Sequence, residues 1–177
     1  MTDALRASDL PRRGLVAVAA AGSLALLLGA WGFEAIGGLA PCAMCYWQRW
    51  PHLVAVALAV LGGGALPRAA GAAVGVAGAA AAGTSGAIGV YHSGVERGWW
   101  PGPASCTSAG QDLGGLSGEA LLDLGAAPAV PLCDEIAWTF LGLSMANYNA
   151  AISLGLAAIW AVSARAALRR GTGVNAG

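Results

Sequence analysis

Four apolar stretches constrain this chain more than any other feature of it. A helix needs about 20 apolar residues to cross about 30 Å of hydrocarbon at a rise of about 1.5 Å per residue. Residues 14–33, 45–66, 69–91 and 144–162 meet that need. Only 10% of the 177 residues are charged and 57% are hydrophobic. Soluble domains carry about 25% charge, so lipid has to take up the apolar surplus. The predicted fold class is an all-α membrane protein: one domain over 1–177, a four-transmembrane-helix bundle with two loops on one side at about 34–44 and 92–143.

Seven of the eight prolines lie outside these stretches; Pro51 falls inside the second and is expected to kink it near the interface. The first stretch has a signal-peptide look, with Arg6, Arg12 and Arg13 ahead of an apolar run. It is long for such a segment, so it reads as an uncleaved first helix. The side holding both termini carries Arg6, Arg12, Arg13, Arg68, Arg165, Arg169 and Arg170, and the other side only Arg49 and Arg97. The positive-inside rule then puts both termini in the cytoplasm and the two loops outside. Trp31, Trp47, Trp50 and Trp138 are expected near the outer interface and Trp160 near the inner one. Nine basic residues cancel nine acidic ones, leaving no basic face for nucleic acid.

Small residues such as Gly71 and Gly75 would let helices approach closely. In the long loop, Leu116, Ala120, Leu121 and Leu124 share one helical face, which suits a short amphipathic helix on the membrane as well as a plain loop.

All four cysteines fall in or beside the outward loops. Cys42 and Cys45 form a C-x-x-C, and Cys106 and Cys133 stand apart in the long loop. An oxidising compartment permits disulfides in both pairs. A bridge between Cys106 and Cys133 would contribute about 3.5 kcal/mol through loop closure, which is reason enough for a plain staple. The same model gives the C-x-x-C less than about 2 kcal/mol. Such tight rings are easily reduced and commonly do redox work. Zinc prefers two closely spaced ligand pairs, which the distant Cys106 and Cys133 do not supply. A c-type haem needs His directly after the second Cys, where Tyr46 stands. Arg49 and His52 lie one and two helical turns beyond Cys45 on the same face. A guanidinium there favours a Cys45 thiolate, although an interfacial arginine can also simply snorkel.

Pro41-Cys42-Ala43-Met44-Cys45-Tyr46-Trp47-Gln48-Arg49 resembles the first-loop motif of the disulfide bond formation protein B (DsbB) family. The segment from Cys133-Asp134-Glu135 through Trp138 to Phe140-Leu141-Gly142-Leu143-Ser144-Met145 resembles the stretch after that family's last cysteine. The order of spans and cysteine pairs agrees along nearly the whole chain. The resemblance implies an enzyme of the bacterial inner membrane: a quinone-dependent protein-disulfide oxidoreductase that reoxidises a periplasmic DsbA-like thiol oxidase and draws on the membrane quinone pool, ubiquinone or menaquinone. It implies that Cys106 meets the partner's thiolate and that Cys133 is its disulfide mate. Cys42 then exchanges with the loop pair, and Cys45 touches the quinone, with Arg49 and His92 beside it. His52 stands where the family is usually apolar; it is expected to be an interfacial histidine, with contact to the quinone as the alternative. Two rivals remain. A vitamin K epoxide reductase-like protein would have its loop cysteines before the C-x-x-C, the reverse of the order here. A non-catalytic scaffold with a stapled loop would not bind quinone.

Overall fold

The computed structural model describes residues 2–62, 66–107 and 131–169, with side chains from residue 12 onward. Four long helices make up most of the described residues: α1 (Thr2–Ala35), α2 (Ala43–Gly62), α3 (Arg68–Glu96) and α4 (Met145–Arg169). Two short antiparallel strands, β1 (Thr139–Phe140) and β2 (Leu143–Ser144), form a hairpin just before α4, with Thr139 opposite Ser144. Its turn needs left-handed backbone at Leu141 (φ 50°) and Gly142 (φ 76°), the pairing that matches strand twist in a two-residue loop. The amphipathic pattern at 116–124 lies outside the described residues.

In lipid a backbone must satisfy its own hydrogen bonds, so apolar runs become helices. Arg12–Ala35 of α1, together with α3 and α4, is long and apolar enough to cross a membrane. α2 is not among these three, with Gln48, Arg49 and His52 in its first half. It runs through Pro51 without ending. The helices outrun the apolar stretches: α1 begins before Pro11, α3 continues to Glu96 and α4 to Arg169. Hydropathy marks where lipid touches a helix, not where its hydrogen bonding stops. α4 starts on a reciprocal cap. The Asn147 N–H donates to Ser144 Oγ, and the Ser144 N–H donates to Asn147 Oδ1 at 3.1 Å.

α3 packs most extensively against α4. Its glycines make that possible. A Cβ on Gly75 would stand 2.8 Å from the Ala164 backbone, and one on Gly89 3.0 Å from the Ala150 backbone nitrogen. Gly78 lies under the Trp160 ring, where a Cβ would come within 2.3 Å. Trp160 is therefore fully buried in the apolar core with Val16, Ala19, Ala82 and Leu156. That corrects its expected place as an interfacial anchor: the missing side chain at Gly78 opens a slot that the indole fills.

Alanine is the better helix former by about 1 kcal/mol, so Gly155→Ala, which meets nothing within 4 Å, should leave stability unchanged or raised. Gly75→Ala should instead cost about 1–3 kcal/mol by forcing α3 off α4. Equilibrium unfolding in mixed micelles measures both.

Candidate active site

Cys42 caps α2. Its carbonyl accepts the Tyr46 N–H at 3.3 Å, and its Sγ accepts the Cys45 N–H at 3.3 Å. The cap brings the two sulfurs to 3.0 Å, with Cys42 Sγ donating to Cys45 Sγ. That hydrogen bond, and after it burial, raises the Cys42 thiol well above the ordinary cysteine range.

The two cysteines face different neighbours. Cys42 is buried in a cluster with Met44, Val95, Cys106 and Cys133. Cys106 and Cys133 are disulfide-bonded to each other, with Cα atoms 5.3 Å apart. The Cys133 N–H donates to the Cys106 carbonyl beside that bridge. Cys45 instead lines a cavity of about 350 Å³ between α1, α2, α4 and the hairpin. The walls of that cavity are mainly apolar, from Leu26, Phe33, Trp138, Phe140, Met145 and Ile152. Its polar groups come from Gln48, Arg49, His52, His92 and Asn149.

Arg49 is not a free snorkelling side chain. Its Nη1 donates to Glu34 Oε2 at 2.7 Å, its Nη2 to the Ala30 carbonyl at 3.4 Å, and the guanidinium sits 5.0 Å from the Tyr46 ring centre. Its Nε is buried without a hydrogen-bond partner among the described residues. Glu34 escaped sequence reasoning, because no local pattern brings the end of α1 to Arg49.

His92 stands near the end of α3, with Nε2 3.6 Å from Cys42 Sγ and 3.9 Å from Glu96 Oε1. The Glu96 carboxylate also accepts from Ser144 Oγ. The ligand atoms of Cys42, Cys45 and His92 all lie within 4.8 Å of one another.

His52 departs from its expected place. It is 2% exposed, turned into the bundle and not outward as an interfacial side chain would be, and it lines the cavity. Its Nδ1 is 3.2 Å from Ser23 Oγ, and its Nε2 is 3.2 Å from Asn149 Oδ1 and 3.0 Å from Ser153 Oγ. A polar ring can stay in an apolar bundle only with such partners. Gln48 and Asn149 also escaped sequence reasoning. Their signal was present: each is a polar residue inside an apolar stretch, which is by default a reason to ask for a function.

The family model for disulfide bond formation protein DsbB matches residues 12–163. The chain belongs to the DsbB family. An uncharacterized protein, RP370, from Rickettsia prowazekii (strain Madrid E) is 26% identical over 116 residues. That match covers 66% of this chain and 66% of the relative. No solved structure matches. DsbB membership and three apolar helices make this a multi-pass membrane protein of disulfide-bond formation.

His52→Leu should strip partners from Ser23, Asn149 and Ser153 together. A loss of about 1–3 kcal/mol is expected, read by the same micelle unfolding, since the buried Ser23 hydroxyl loses its His52 partner while Asn149 and Ser153 keep only each other on that side.

Proposed function

We propose that this DsbB-family protein is a thiol oxidase of the bacterial inner membrane. It takes two electrons from a periplasmic DsbA-like dithiol protein and delivers them to a membrane quinone. The observation that carries the reading is the split of the cysteines: Cys42 is buried against the Cys106–Cys133 disulfide, while Cys45 lines the apolar cavity.

Each exchange conserves thiols and disulfides. A thiolate of the partner attacks Cys106 and releases Cys133 as a thiolate. The partner's second thiol then displaces Cys106 and leaves the partner oxidised. The Cys133 thiolate attacks the Cys42 sulfur of a Cys42–Cys45 disulfide and releases Cys45. Cys106 then displaces Cys42 and restores the loop disulfide. Cys42 and Cys45 now hold the two electrons and two protons. Bound quinone supplies the sink for both. Cys42 and Cys45 lose them and re-form their own bond.

The cavity suits such a guest. Apolar walls fit a lipid-soluble ring, and a pocket of about 300 Å³ or more is the usual size for a small-molecule site. The unpartnered Arg49 Nε is a buried donor that a quinone oxygen would satisfy. Arg49 would hold that oxygen and favour negative charge on it, while Cys45 would lie against the ring. His92 would serve the same side of the site.

The arginines set the sidedness: both termini in the cytoplasm, α2 as the second of four spans, and the loops with their cysteines in the periplasm. Reporters fused after Arg68 and after Arg170 should read cytoplasmic and one at Gly110 periplasmic. A cytoplasmic Gly110 would contradict the compartment.

The defining assay is quinone-dependent oxidation of a reduced DsbA-like protein by membranes carrying the chain, with each Cys replaced in turn. Cys106→Ala should abolish oxidation of the protein substrate. It should leave Cys42 and Cys45 able to reduce quinone when a small dithiol supplies electrons. Loss of both activities in a folded variant would overturn the relay order, and oxidation that survives Cys42→Ser would overturn the reading itself.

A further inference from the structure

A chain of buried hydrogen bonds runs from the cysteine pair into the bundle. Gln48 Nε2 is 3.0 Å from the Met44 carbonyl and 2.9 Å from His92 Nδ1. Gln48 Oε1 is 2.7 Å from Asn149 Nδ2, which also lies 3.3 Å from the Ser85 carbonyl. Asn149 Oδ1 is 3.2 Å from His52 Nε2, and His52 Nδ1 is 3.2 Å from Ser23 Oγ.

Amide and imidazole orientations are usually ambiguous. Here two backbone carbonyls settle them. A carbonyl only accepts, so the Met44 oxygen needs the NH₂ of Gln48, and the Ser85 oxygen needs the NH₂ of Asn149. Turning either amide over would press oxygen against oxygen at 3.0 Å or 3.3 Å. These two anchors fix the bonds that meet Gln48. The second Gln48 hydrogen goes to His92 Nδ1, so Nδ1 carries a lone pair and the ring hydrogen is on Nε2. Gln48 Oε1 accepts from Asn149. Asn149 Oδ1 accepts from Ser153 Oγ at 3.2 Å, and Ser153 Oγ also lies 3.0 Å from His52 Nε2.

We infer that Gln48 is a positioning residue of the redox pair: anchored on the Met44 carbonyl, it fixes His92 with Nε2–H toward Cys42 Sγ, so that Cys42 keeps its own hydrogen directed at Cys45. Two acceptors face that Nε2–H: Cys42 Sγ at 3.6 Å and, farther off, the Glu96 carboxylate at 3.9 Å. With a donor facing it from His92, the Cys42 thiol has one useful acceptor for its hydrogen, the Cys45 sulfur 3.0 Å away. The network thus sends negative charge to Cys45, the sulfur on the cavity. Arg49, which lines the cavity with Cys45, is paired with Glu34 at 2.7 Å. The same orientation makes Cys42, Cys45 and His92 a poor metal site. A ligating histidine points a lone pair at the ion and gives its other N–H to an acceptor; His92 has it the other way round.

The inference rests on the proposed redox role for its purpose but not for its test. Two readouts use the reduced full-length protein in detergent, without quinone or partner. The first is the ¹⁵N shift pattern of the histidines, which reports the tautomer. The His92 ring should carry its hydrogen on Nε2. Gln48→Glu replaces the donor by an acceptor and should move the His92 hydrogen to Nδ1. The second is limited alkylation at neutral pH, read by mass spectrometry as the ratio of Cys45 to Cys42 labelling. Cys45 should label first. In Gln48→Glu the bare Nε2 draws the Cys42 hydrogen away from Cys45, so the ratio should fall at least tenfold. Gln48→Met, of similar size and uncharged, should lower it less and give mixed tautomers. A His92 with hydrogen on Nδ1 in the unaltered protein would overturn the inference. So would a ratio that stays constant in both variants. If the tautomers and ratios behave as stated while membranes show no quinone-dependent oxidation, the orientation stands and the proposed function falls.

Discussion

A polar side chain buried in a membrane bundle must find its partners inside that bundle, because lipid offers none. Most polar groups of this site answer that demand, with the Arg49 Nε the exception among the site's described residues. Gln48 spends both its hydrogens and its oxygen on protein partners. His52 on α2 is held from α1 and α4, through Ser23, Asn149 and Ser153. Arg49 turns to Glu34 and the Ala30 carbonyl. These bonds, with those of Gln48 to His92 and Asn149, tie α1, α2, α3 and α4 together, and the cysteine pair sits at the end of the resulting network.

The same demand separates the two sulfurs of the C-x-x-C by environment. Capping α2 fixes Cys42 under the loop disulfide, and the helical turn then carries Cys45 round to the cavity. Thiol–disulfide exchange needs an accessible disulfide sulfur and a good leaving thiolate. The arrangement supplies a receiving sulfur on one side and a charge-bearing sulfur on the other. Close packing through Gly75, Gly78 and Gly89 leaves α3 tight against α4, and that closeness is what lets His92 and Asn149 reach the same glutamine.

Much of this was legible in the sequence. Apolar length marked the helices, and cysteine spacing together with the flanking motif marked the family. The boundaries were less legible, since α1, α3 and α4 all extend past their apolar stretches. Trp160 was misjudged because an aromatic near a helix end reads as an anchor, and only the three-dimensional slot at Gly78 makes it core. His52 was misjudged for a similar reason: its partners lie on α1 and α4, 29 and about 100 residues away in the chain. The Arg49–Glu34 pair and the Gln48–Asn149 link likewise join different helices, and periodicity along one helix cannot reveal which polar residue of another helix will meet it.

The central claim is that the two cysteine pairs work as one relay through Cys42 and Cys133. Its most direct test is a protein retaining only those two cysteines, with Cys45→Ala and Cys106→Ala, oxidised in its membrane and mapped by mass spectrometry under non-reducing conditions. Their shared buried cluster leads us to expect a Cys42–Cys133 disulfide within single chains in most molecules. Two free thiols in a folded, oxidised sample, or bridges only between chains, would contradict it.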